Sequence, residues 1–359
     1  MKNLLYTLQI AWIIGTKDIL DALKNKSSRA NILIMLGMVV FFYWLGVLRP
    51  FDKDVNVVVY AEGPTGLTID KKTLENGAVY SFREASSFQD METRLAFQDL
   101  GLVLPANLGQ TLAAGGKVNL SGYIFWANRM KVANLEAKYS QAFSEILGQP
   151  VQVMIGGNII IPQANMDGMP ATAASQMVYF IFFTALLLIP HLMLEEKKTR
   201  TLEALLVSPA SPGQVVLGKA LAGLFYILLI GGLALYLYWA YIVHWALALA
   251  AFLGYALLAT ALGLAVGSFI KSPLKLGLWN VLLTLCLVVP PLFYMESNLK
   301  AGIRTVLTWF PTSALASLFR FSCSMSVAPV QFLPNLAVAV VSIGLVFGLV
   351  VWKVRRSDR

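Results

Sequence analysis

The sequence contains little of what catalytic and metal sites usually need. Two cysteines and two histidines occur in 359 residues, so the chain lacks a disulfide framework and a rich metal-binding cluster. Charged residues make up 13% of the chain and hydrophobic residues 57%, whereas soluble domains contain about 25% charged residues. These proportions exclude a soluble globular enzyme and a disordered chain. Both cysteines, Cys286 and Cys323, lie in apolar stretches, where they are expected to be small core residues.

Long apolar runs are abundant and indicate a polytopic membrane protein. A membrane-spanning helix needs about 20 predominantly apolar residues. The runs that suit this length are 30–48, 173–194, 215–242, 245–270, 276–295 and 330–352. Residues 1–29 are too polar for a signal peptide, and no small-residue cleavage site follows the first run, so we expect an uncleaved signal anchor.

The distribution of lysine and arginine predicts the orientation of the chain. With the N-terminus inside, the inner segments hold 15 basic and six acidic residues, and the large outer segment, 49–172, holds 10 basic and 12 acidic residues. Basic residues concentrate in cytoplasmic loops, so we place both termini in the cytoplasm, at a bacterial-type inner (plasma) membrane. The net charge of +9 then faces anionic lipid headgroups, and no nucleic-acid partner is expected.

Residues 1–29 are predicted to form an amphipathic interfacial helix on the cytoplasmic surface. Apolar residues recur there at helical spacing, which places them on one side of the helix, toward lipid. These apolar residues are Leu5, Leu8, Trp12, Ile19 and Leu23. The charged residues assigned to the rest of the helix surface are Lys17, Asp18, Asp21 and Lys24.

Residues 49–172 are predicted to form an extracytoplasmic α/β domain. Strands are indicated at 56–60, 100–105, 117–125 and 151–155, and helices at 86–98 and 128–147. These elements suffice for a small sheet covered by helices. The stretch contains no histidine and no cysteine, and its acids are spread along charged surfaces, so no catalytic constellation is indicated.

Residues 296–329 lie outside in this topology although they are unusually apolar. Two helical runs, separated at Phe310-Pro311, are each too short to span the membrane. Since backbone at membrane depth must be hydrogen-bonded within the protein, we predict a re-entrant helical hairpin at 299–322. The predicted fold is an α-helical polytopic membrane protein with six transmembrane helices. The extracytoplasmic α/β domain lies between the first and second spans, and the hairpin precedes the last; the five later spans belong to 173–359.

The most informative polar segment, 195–209, joins the second and third spans on the inside. It begins with charged residues, becomes amphipathic through its leucines, and ends at Ser208-Pro209. A short helix with exposed glutamates and apolar anchors suits the docking of another protein. An ordinary charged loop that fixes topology explains the same pattern, and the residues by themselves leave both interpretations open.

This segment resembles the cytoplasmic signature of type-2 ABC transporter permeases, the membrane subunits of type V ABC exporters. The family pattern is roughly E-x-E-x-G-T-x-E-x-L, followed by S/T-P and then by L-G-K at the next span. The matching residues are Glu195, Thr201, Glu203, Leu205, Ser208, Pro209, Leu217, Gly218 and Lys219. Arg200 stands where the family usually has glycine. The layout of the whole chain, and the segment 309–320 before the last span, also resemble this family.

The resemblance implies a transport subunit without an ATPase site of its own. Two permease chains, identical or homologous, would pair above two copies of a separate ABC ATPase subunit, which would bind ATP and Mg²⁺. This chain would bind no metal or cofactor. The segment 195–209 would be the coupling helix in a groove of the ATPase, with Glu203 and Arg200 as candidate contacts. The full set of implied ATPase-coupling residues is Glu195, Glu196, Arg200, Thr201, Glu203, Leu205, Leu206, Ser208 and Pro209.

Polar residues within the spans are candidates for a transport pathway. Those near mid-span are Gln176, Tyr179, Thr184, Tyr226, Thr260, Asn280 and Thr284. A hydrogen bond between packed helices is the alternative explanation for such residues, and Gly263-x3-Gly267 and Gly344-x3-Gly348 indicate close helix packing. Charges are nearly absent from mid-span, which argues against an ion-coupled transporter and favours an apolar or amphipathic substrate such as a drug, lipid or peptide.

Three functions follow from these observations. The first is the permease of an ATP-driven exporter. The second is a membrane-anchored sensor or scaffold that transmits force between an ATPase and an extracytoplasmic partner. The third is an integral membrane enzyme, for which His191 with Glu195-Glu196 is the site to test. The stretch 213–220 nearly matches a phosphate-binding loop, but Ala220 lacks the hydroxyl that would hold Mg²⁺.

Overall fold

The computed structural model describes residues 2–45, 54–63, 71–75, 77–163, 169–199, 211–270, 272–294, 300–325 and 327–357. The chain divides into two compact units. The helical unit comprises Met1–Val47, Ala171–Cys323 and Val327–Arg359, and the sheet unit comprises Leu48–Pro170 and Ser324–Ser326.

Two consecutive helices begin the chain, α1 (Lys2–Lys24) and α2 (Lys26–Tyr43). Asn25 N donates to the Asp21 carbonyl at 2.9 Å, and Arg29 N donates to the Asn25 carbonyl at 3.0 Å, so helical hydrogen bonding continues across their junction. Buried residues recur every three or four positions along both helices, namely Ala11, Ile14, Asp18, Ala22, Ser28, Ile32, Met35 and Val39. One continuous stripe of α1 and α2 therefore packs inward.

The described part of the sheet unit contains a seven-stranded mixed sheet. Its strands are β1 (Asp54–Ala61), β2 (Lys71–Thr73), β3 (Val79–Glu84), β4 (Leu100–Leu104), β5 (Val118–Phe125), β6 (Val151–Met154) and β7 (Ile159–Ile160). The order is β2-β3-β1-β4-β5-β6, and β7 pairs with β5. β1 runs parallel to β3 and β4, and β5 runs parallel to β6 and β7, whereas β2 with β3 and β4 with β5 are antiparallel.

Helices cover both faces of this sheet, because successive side chains of a strand point to opposite faces. The helices of the unit are α3 (Phe88–Arg94), α4 (Leu108–Ala113) and α5 (Val132–Leu147). Val57 lies in the larger core, which includes Tyr139 and Phe143 of α5. Its neighbour Val58 lies in a smaller core with Met91 of α3.

The rest of the helical unit is formed by seven further helices among the described residues. They are α6 (Met169–Thr199), α7 (Pro212–Leu237), α8 (Trp245–Phe269), α9 (Pro273–Tyr294), α10 (Ala301–Thr308), α11 (Pro311–Ser322) and α12 (Pro329–Ser357). Helical structure is interrupted between α10 and α11 at Phe310-Pro311, where Pro311 occupies the first helical position of α11. α11 packs against α8, α9 and α12, and all residues 312–319 are buried.

Five helices in the described residues are long and apolar enough to cross a membrane. They are Ala171–His191, Gly213–Leu237, Trp245–Phe269, Lys275–Tyr294 and Pro329–Lys353. The first expected span, 30–48, coincides with a shorter apolar helix, Ser28–Tyr43, and residues 46–50 lie outside the described part. The expected number of six spans therefore stays a prediction.

Candidate coupling and transport site

Close helix packing joins α1 to the first turns of α7. A Cβ atom added to Gly218 would lie 2.7 Å from the Ile14 Cβ and 2.9 Å from the Ala11 carbonyl oxygen. A Cβ added to Gly15 would lie 3.0 Å from the Gly218 carbonyl oxygen. The two backbones therefore touch, which only glycine permits at these positions. We name this surface, formed by residues 7–19 of α1 and 214–226 of α7, the α1–α7 seam.

A buried ion pair lies in the α1–α7 seam. Lys219 Nζ donates to Asp18 Oδ2 at 3.3 Å, and the two side chains are only 3% and 6% exposed. The sequence places Asp18 away from the apolar stripe of α1, and the structure shows that it faces Lys219 across the seam rather than water. A charge removed from water is tolerated when an opposite charge and hydrogen bonds compensate it.

Two further hydrogen bonds flank this ion pair along the seam. Tyr226 donates its hydroxyl to the Ile19 carbonyl at 2.6 Å, and Gln214 Nε2 donates to Thr7 Oγ1 at 3.4 Å. Thr7 contacts Gln214, and Ile19, further along α1, contacts Tyr226, further along α7. The two helices therefore run in the same direction along the seam. The seam therefore resists sliding as well as separation.

The N-terminus of α7 is closed by a capping box directly after the segment 195–209. Ser211 N donates to Gln214 Oε1 at 2.7 Å, and Gln214 N donates to Ser211 Oγ at 3.4 Å. This reciprocal pair satisfies backbone donors that a helix start leaves open. Gln214 therefore both caps α7 and contacts α1.

The segment expected to couple to an ATPase is described only at its beginning. α6 continues through Glu195 and Glu196 to Thr199, and only its backbone is described there. The other candidate coupling residues, Arg200, Thr201, Glu203, Leu205, Leu206, Ser208 and Pro209, lie outside the described residues. The stretch 213–220 lies within α7, which is helical from Pro212, so it does not form a phosphate-binding loop.

Three of the sequence-predicted pathway residues have defined partners. Tyr238 donates its hydroxyl to Gln176 Oε1, which joins α7 to α6. The ring of Tyr179 stacks on Phe183 with ring centroids 5.3 Å apart and meets Phe42 of α2 edge-on at 6.0 Å. Tyr226 lies in the α1–α7 seam.

Two further pathway candidates, Asn280 and Thr284, lie on α9. Asn280 Oδ1 is buried without a hydrogen-bond partner among the described residues, and Thr284 is half-buried. No hydrogen bond in the described part of the chain joins any two of the seven pathway candidates. The structure therefore does not gather them into one site.

Buried hydroxyls on α6 and α8 form a second group of polar positions. Thr184 Oγ1, Tyr255 Oη and Thr260 Oγ1 are buried without a hydrogen-bond partner in the described residues. Tyr255 is fully buried, and its ring meets Phe182 of α6 edge-on, with centroids 6.1 Å apart. The sequence predicts the two threonines but not Tyr255, although a tyrosine within an alanine- and leucine-rich span is a recognisable signal.

The two glycine motifs behave differently in the structure. A Cβ on Gly263 would lie 2.9 Å from the Ile189 Cβ, and one on Gly267 would lie 3.0 Å from the Met193 Cβ. This motif therefore packs α8 closely against α6, as the sequence predicts. Gly344 and Gly348 of α12 have no described atom within 4 Å of an added Cβ, so close packing is not observed there.

No group of three or more His, Cys, Asp or Glu side chains within the described ranges could hold a metal ion. His191, the candidate residue for an enzyme, is exposed near the end of α6. Both cysteines are free thiols, Cys286 exposed and Cys323 buried. Among the described residues, the buried polar side chains of the helical unit are uncharged groups and one compensated ion pair, Asp18–Lys219.

Comparison with known proteins identifies the family of the chain. No curated protein matches it. The family described as ABC-2 family transporter protein matches residues 30–352, which include every helix and strand from β1 to α11 and most of α2 and α12. This extent agrees with the signature at 195–219 and with the apolar helices of the helical unit. The chain therefore belongs to the ABC-2 family of transporter membrane proteins and is a permease of an ABC transporter.

Proposed function

We propose that the chain is the membrane-spanning subunit of an ATP-driven exporter that moves an apolar or amphipathic solute, such as a drug, lipid or peptide, out of the cell. It works with two copies of a separate ABC ATPase subunit and with a second permease chain, identical or homologous. ATP and Mg²⁺ belong to the ATPase subunit. The observation that carries this proposal is the position of the α1–α7 seam directly after the coupling segment 195–209.

The seam offers a route from an ATPase to the transmembrane helices. A docked ATPase would push on 195–209, and the capping box at Ser211 links the end of that segment to α7. Because Gln214, Gly218 and Lys219 hold α1, a displacement of α7 would carry α1 with it. Interfaces of packed helices shift between discrete arrangements rather than bend continuously, so a small movement at the segment is amplified.

The membrane arrangement that we propose has six spans, with both termini in the cytoplasm of a bacterial-type inner membrane. The first span is 30–48, α1 lies on the cytoplasmic side, the sheet unit is extracytoplasmic, and α10 and α11 form a re-entrant hairpin broken at Phe310-Pro311. The excess of basic residues in the inner segments supports this arrangement.

The solute pathway that we propose is lined by uncharged groups. Gln176, Tyr179, Asn280 and Thr284 remain candidates, with Tyr226 better explained by its seam hydrogen bond. Thr184 and Thr260 also remain candidates, and we add Tyr255, because these three buried hydroxyls have no described partner and would accept a polar part of an amphipathic solute. A low-charge pathway supports such a solute over an inorganic ion.

Co-purification tests the partner. The tagged full chain is purified in mild detergent from its own host, and co-purifying chains are identified by mass. A stoichiometric ABC ATPase is expected, and a second related permease would show a heterodimer. A pure protein without an ATPase under several mild conditions would contradict the exporter and favour the sensor or scaffold.

A charge reversal tests the coupling segment. Glu203→Lys is expected to leave the complex assembled but to uncouple ATP hydrolysis from transport, because it reverses the charge of a candidate contact. Glu62→Lys, at an exposed acid of the sheet unit, is the matched control and should transport normally. Normal transport by an assembled Glu203→Lys complex would contradict the assigned role.

Thiol labelling tests the orientation. In a Cys286→Ala background, a membrane-impermeant maleimide should label Lys117→Cys in intact cells. Lys17→Cys, at an exposed position of α1, should react only after permeabilisation. The reverse pattern would overturn the proposed topology.

A further inference from the structure

The sheet unit contains a cavity lined by cationic side chains to which the proposed function assigns no role. Its volume is about 210 Å³, and its lining residues are Val58, Arg83, Arg94 and Gln98. Val58 of β1 and Arg83 of β3 are direct partners in the strand register, so both side chains point to the face that α3 covers. The cavity therefore lies between the sheet and the end of α3.

Arg83 brings an uncompensated charge to this cavity. It forms no hydrogen bond or ion pair with the described residues. Its planar guanidinium carries five N–H donors. A group of this kind matches the oxygens of an oxyanion through two parallel hydrogen bonds.

Arg94, the last residue of α3, is held in place by Asp90. Arg94 Nε donates to Asp90 Oδ1 at 2.7 Å, and Asp90 Oδ2 accepts from Ser86 N at 2.9 Å and from Ser86 Oγ at 3.1 Å. Both carboxylate oxygens of Asp90 thus accept hydrogen bonds from residues of the same segment. The bond uses only Nε of the guanidinium, so the terminal nitrogens of Arg94 remain for a ligand.

Gln98 supplies the third polar group. Its Oε1 is buried and has no hydrogen-bond partner among the described residues. A buried acceptor without a donor is destabilising, and a ligand that carries a hydroxyl would relieve it. Rotation of the amide by 180° would instead direct its N–H₂ group toward an oxyanion.

These groups together define the ligand. The described lining of the cavity contains two guanidinium groups and no carboxylate, and Asp90 forms an ion pair with one of them. The volume is below the roughly 300–1,000 Å³ typical of sites for drug-sized molecules, so only a small group fits. A tetrahedral phosphate has enough oxygens to meet two guanidiniums and an amide at once, and a protonated phosphate oxygen can donate to Gln98 Oε1.

We propose that Arg83, Arg94 and Gln98 form a binding site for a phosphate group, either a soluble phosphate or the phosphate of a lipid headgroup. Arg83 and the terminal nitrogens of Arg94 bind the unprotonated phosphate oxygens, and Gln98 binds the phosphate oxygen that is protonated or esterified. Asp90 is a positioning residue because it acts through Arg94.

Equilibrium dialysis with radiolabelled inorganic phosphate tests this site in the full chain, reconstituted in nanodiscs of phosphatidylcholine. Saturable binding is expected, and Arg83→Gln should weaken it about tenfold or more, as expected for loss of a charged hydrogen-bond donor. Since Arg83 has no partner in the described structure, this variant should fold as the parent does. Lys117→Gln removes an equal charge from an exposed position at the start of β5 and should change the affinity less than twofold.

Two outcomes would overturn the proposal. One is equal phosphate affinity for the parent chain and Arg83→Gln, and the other is equal weakening by Arg83→Gln and Lys117→Gln, which would indicate only diffuse surface charge. Repeating the titration in nanodiscs that contain phosphatidylglycerol separates the two sources of phosphate. Competition by this lipid that Arg83→Gln abolishes would support a headgroup, and unchanged phosphate affinity would support a soluble phosphate.

Discussion

Asp18 and Lys219 are 201 positions apart in the chain, yet their side chains form an ion pair that is almost completely buried. The pair joins α1 to α7 at the point where Gly15 and Gly218 bring the two backbones into contact. A close backbone approach and a buried charge pair at one place make the seam sensitive to single substitutions.

Removing one partner of the pair should cost far more stability than removing both. Asp18→Asn or Lys219→Met alone should each destabilise the helical unit by about 3–5 kcal/mol, because each leaves a buried charge uncompensated. The double variant should recover much of this loss. Thermal unfolding of the purified chain in detergent measures all three.

The control for this cycle is the pair Lys17–Asp21 on the same helix. Its atoms are 3.9 Å apart and its side chains are 49% and 58% exposed, so Lys17→Gln should change stability by at most about 0.5 kcal/mol. Equal effects of Lys17→Gln and Lys219→Met would contradict the importance of the buried pair.

Adding one methyl group at Gly218 should loosen the seam. In Gly218→Ala the new Cβ would lie 2.7 Å from the Ile14 Cβ, so α1 and α7 must separate, at a cost of about 1–3 kcal/mol. Gly232→Ala, on the same helix with no described atom within 4 Å of its Cβ, should not destabilise the chain. We also expect lower coupling of ATP hydrolysis to transport in Gly218→Ala alone, and identical behaviour of the two variants would contradict the seam as a mechanical link.

Two buried tyrosines should respond oppositely to removal of their hydroxyls. Tyr238→Phe loses the hydrogen bond to Gln176 and leaves that amide unsatisfied, so stability should fall by about 1–3 kcal/mol. Tyr255→Phe removes a hydroxyl that has no described partner, so stability should stay equal or rise. If this hydroxyl contacts the solute, transport should nevertheless fall in Tyr255→Phe. A loss of stability without a transport change would contradict the pathway role.

The ion pair beside the phosphate site should give the sheet unit a defined pH dependence. The side-chain hydrogen bond from Arg94, with the backbone hydrogen bond from Ser86, lowers the pKa of Asp90 below its ordinary value. A lowered pKa in the folded state stabilises the fold above the ordinary pKa of aspartate, about 3.9, and this contribution is lost as the pH falls through the folded-state pKa.

Thermal unfolding of the parent chain and Asp90→Asn between about pH 3 and 7 checks this dependence. At neutral pH the parent should be more stable than Asp90→Asn. The difference in stability between the two chains should shrink below about pH 4, as Asp90 becomes protonated. Glu92→Gln, which neutralises another acid of α3, serves as the control. A difference that stays constant over the whole range would contradict the assigned cause.

Much of the secondary structure was predictable because its signals are local. The apolar runs at 173–194, 215–242, 245–270, 276–295 and 330–352 correspond to α6, α7, α8, α9 and α12, and the break at Phe310-Pro311 separates α10 from α11. Strand patterns at 56–60 and 100–105 correspond to β1 and β4. The sequence does not indicate β3, since Arg83 and Glu84 interrupt its apolar alternation.

The candidate site was predictable in kind but not in detail. The signature at 195–219 identifies the family, which the match over 30–352 confirms. The seam was missed because a charge on an amphipathic helix is usually solvated, and nothing near Asp18 in the chain indicates that Lys219 will face it. The cavity of Arg83, Arg94 and Gln98 depends on strand register and on where α3 ends, neither of which local patterns specify.

Composition and hydropathy by themselves determined that this is a polytopic membrane protein, because transfer of apolar runs into lipid is governed by length and hydrophobicity along the chain. The family also follows from sequence alone. Only the tertiary structure decided which charges are buried, and which of two identical glycine motifs packs. Packing depends on atoms brought together from distant parts of the chain: Gly263 touches Ile189, whereas an added Cβ on Gly344 would touch no described atom.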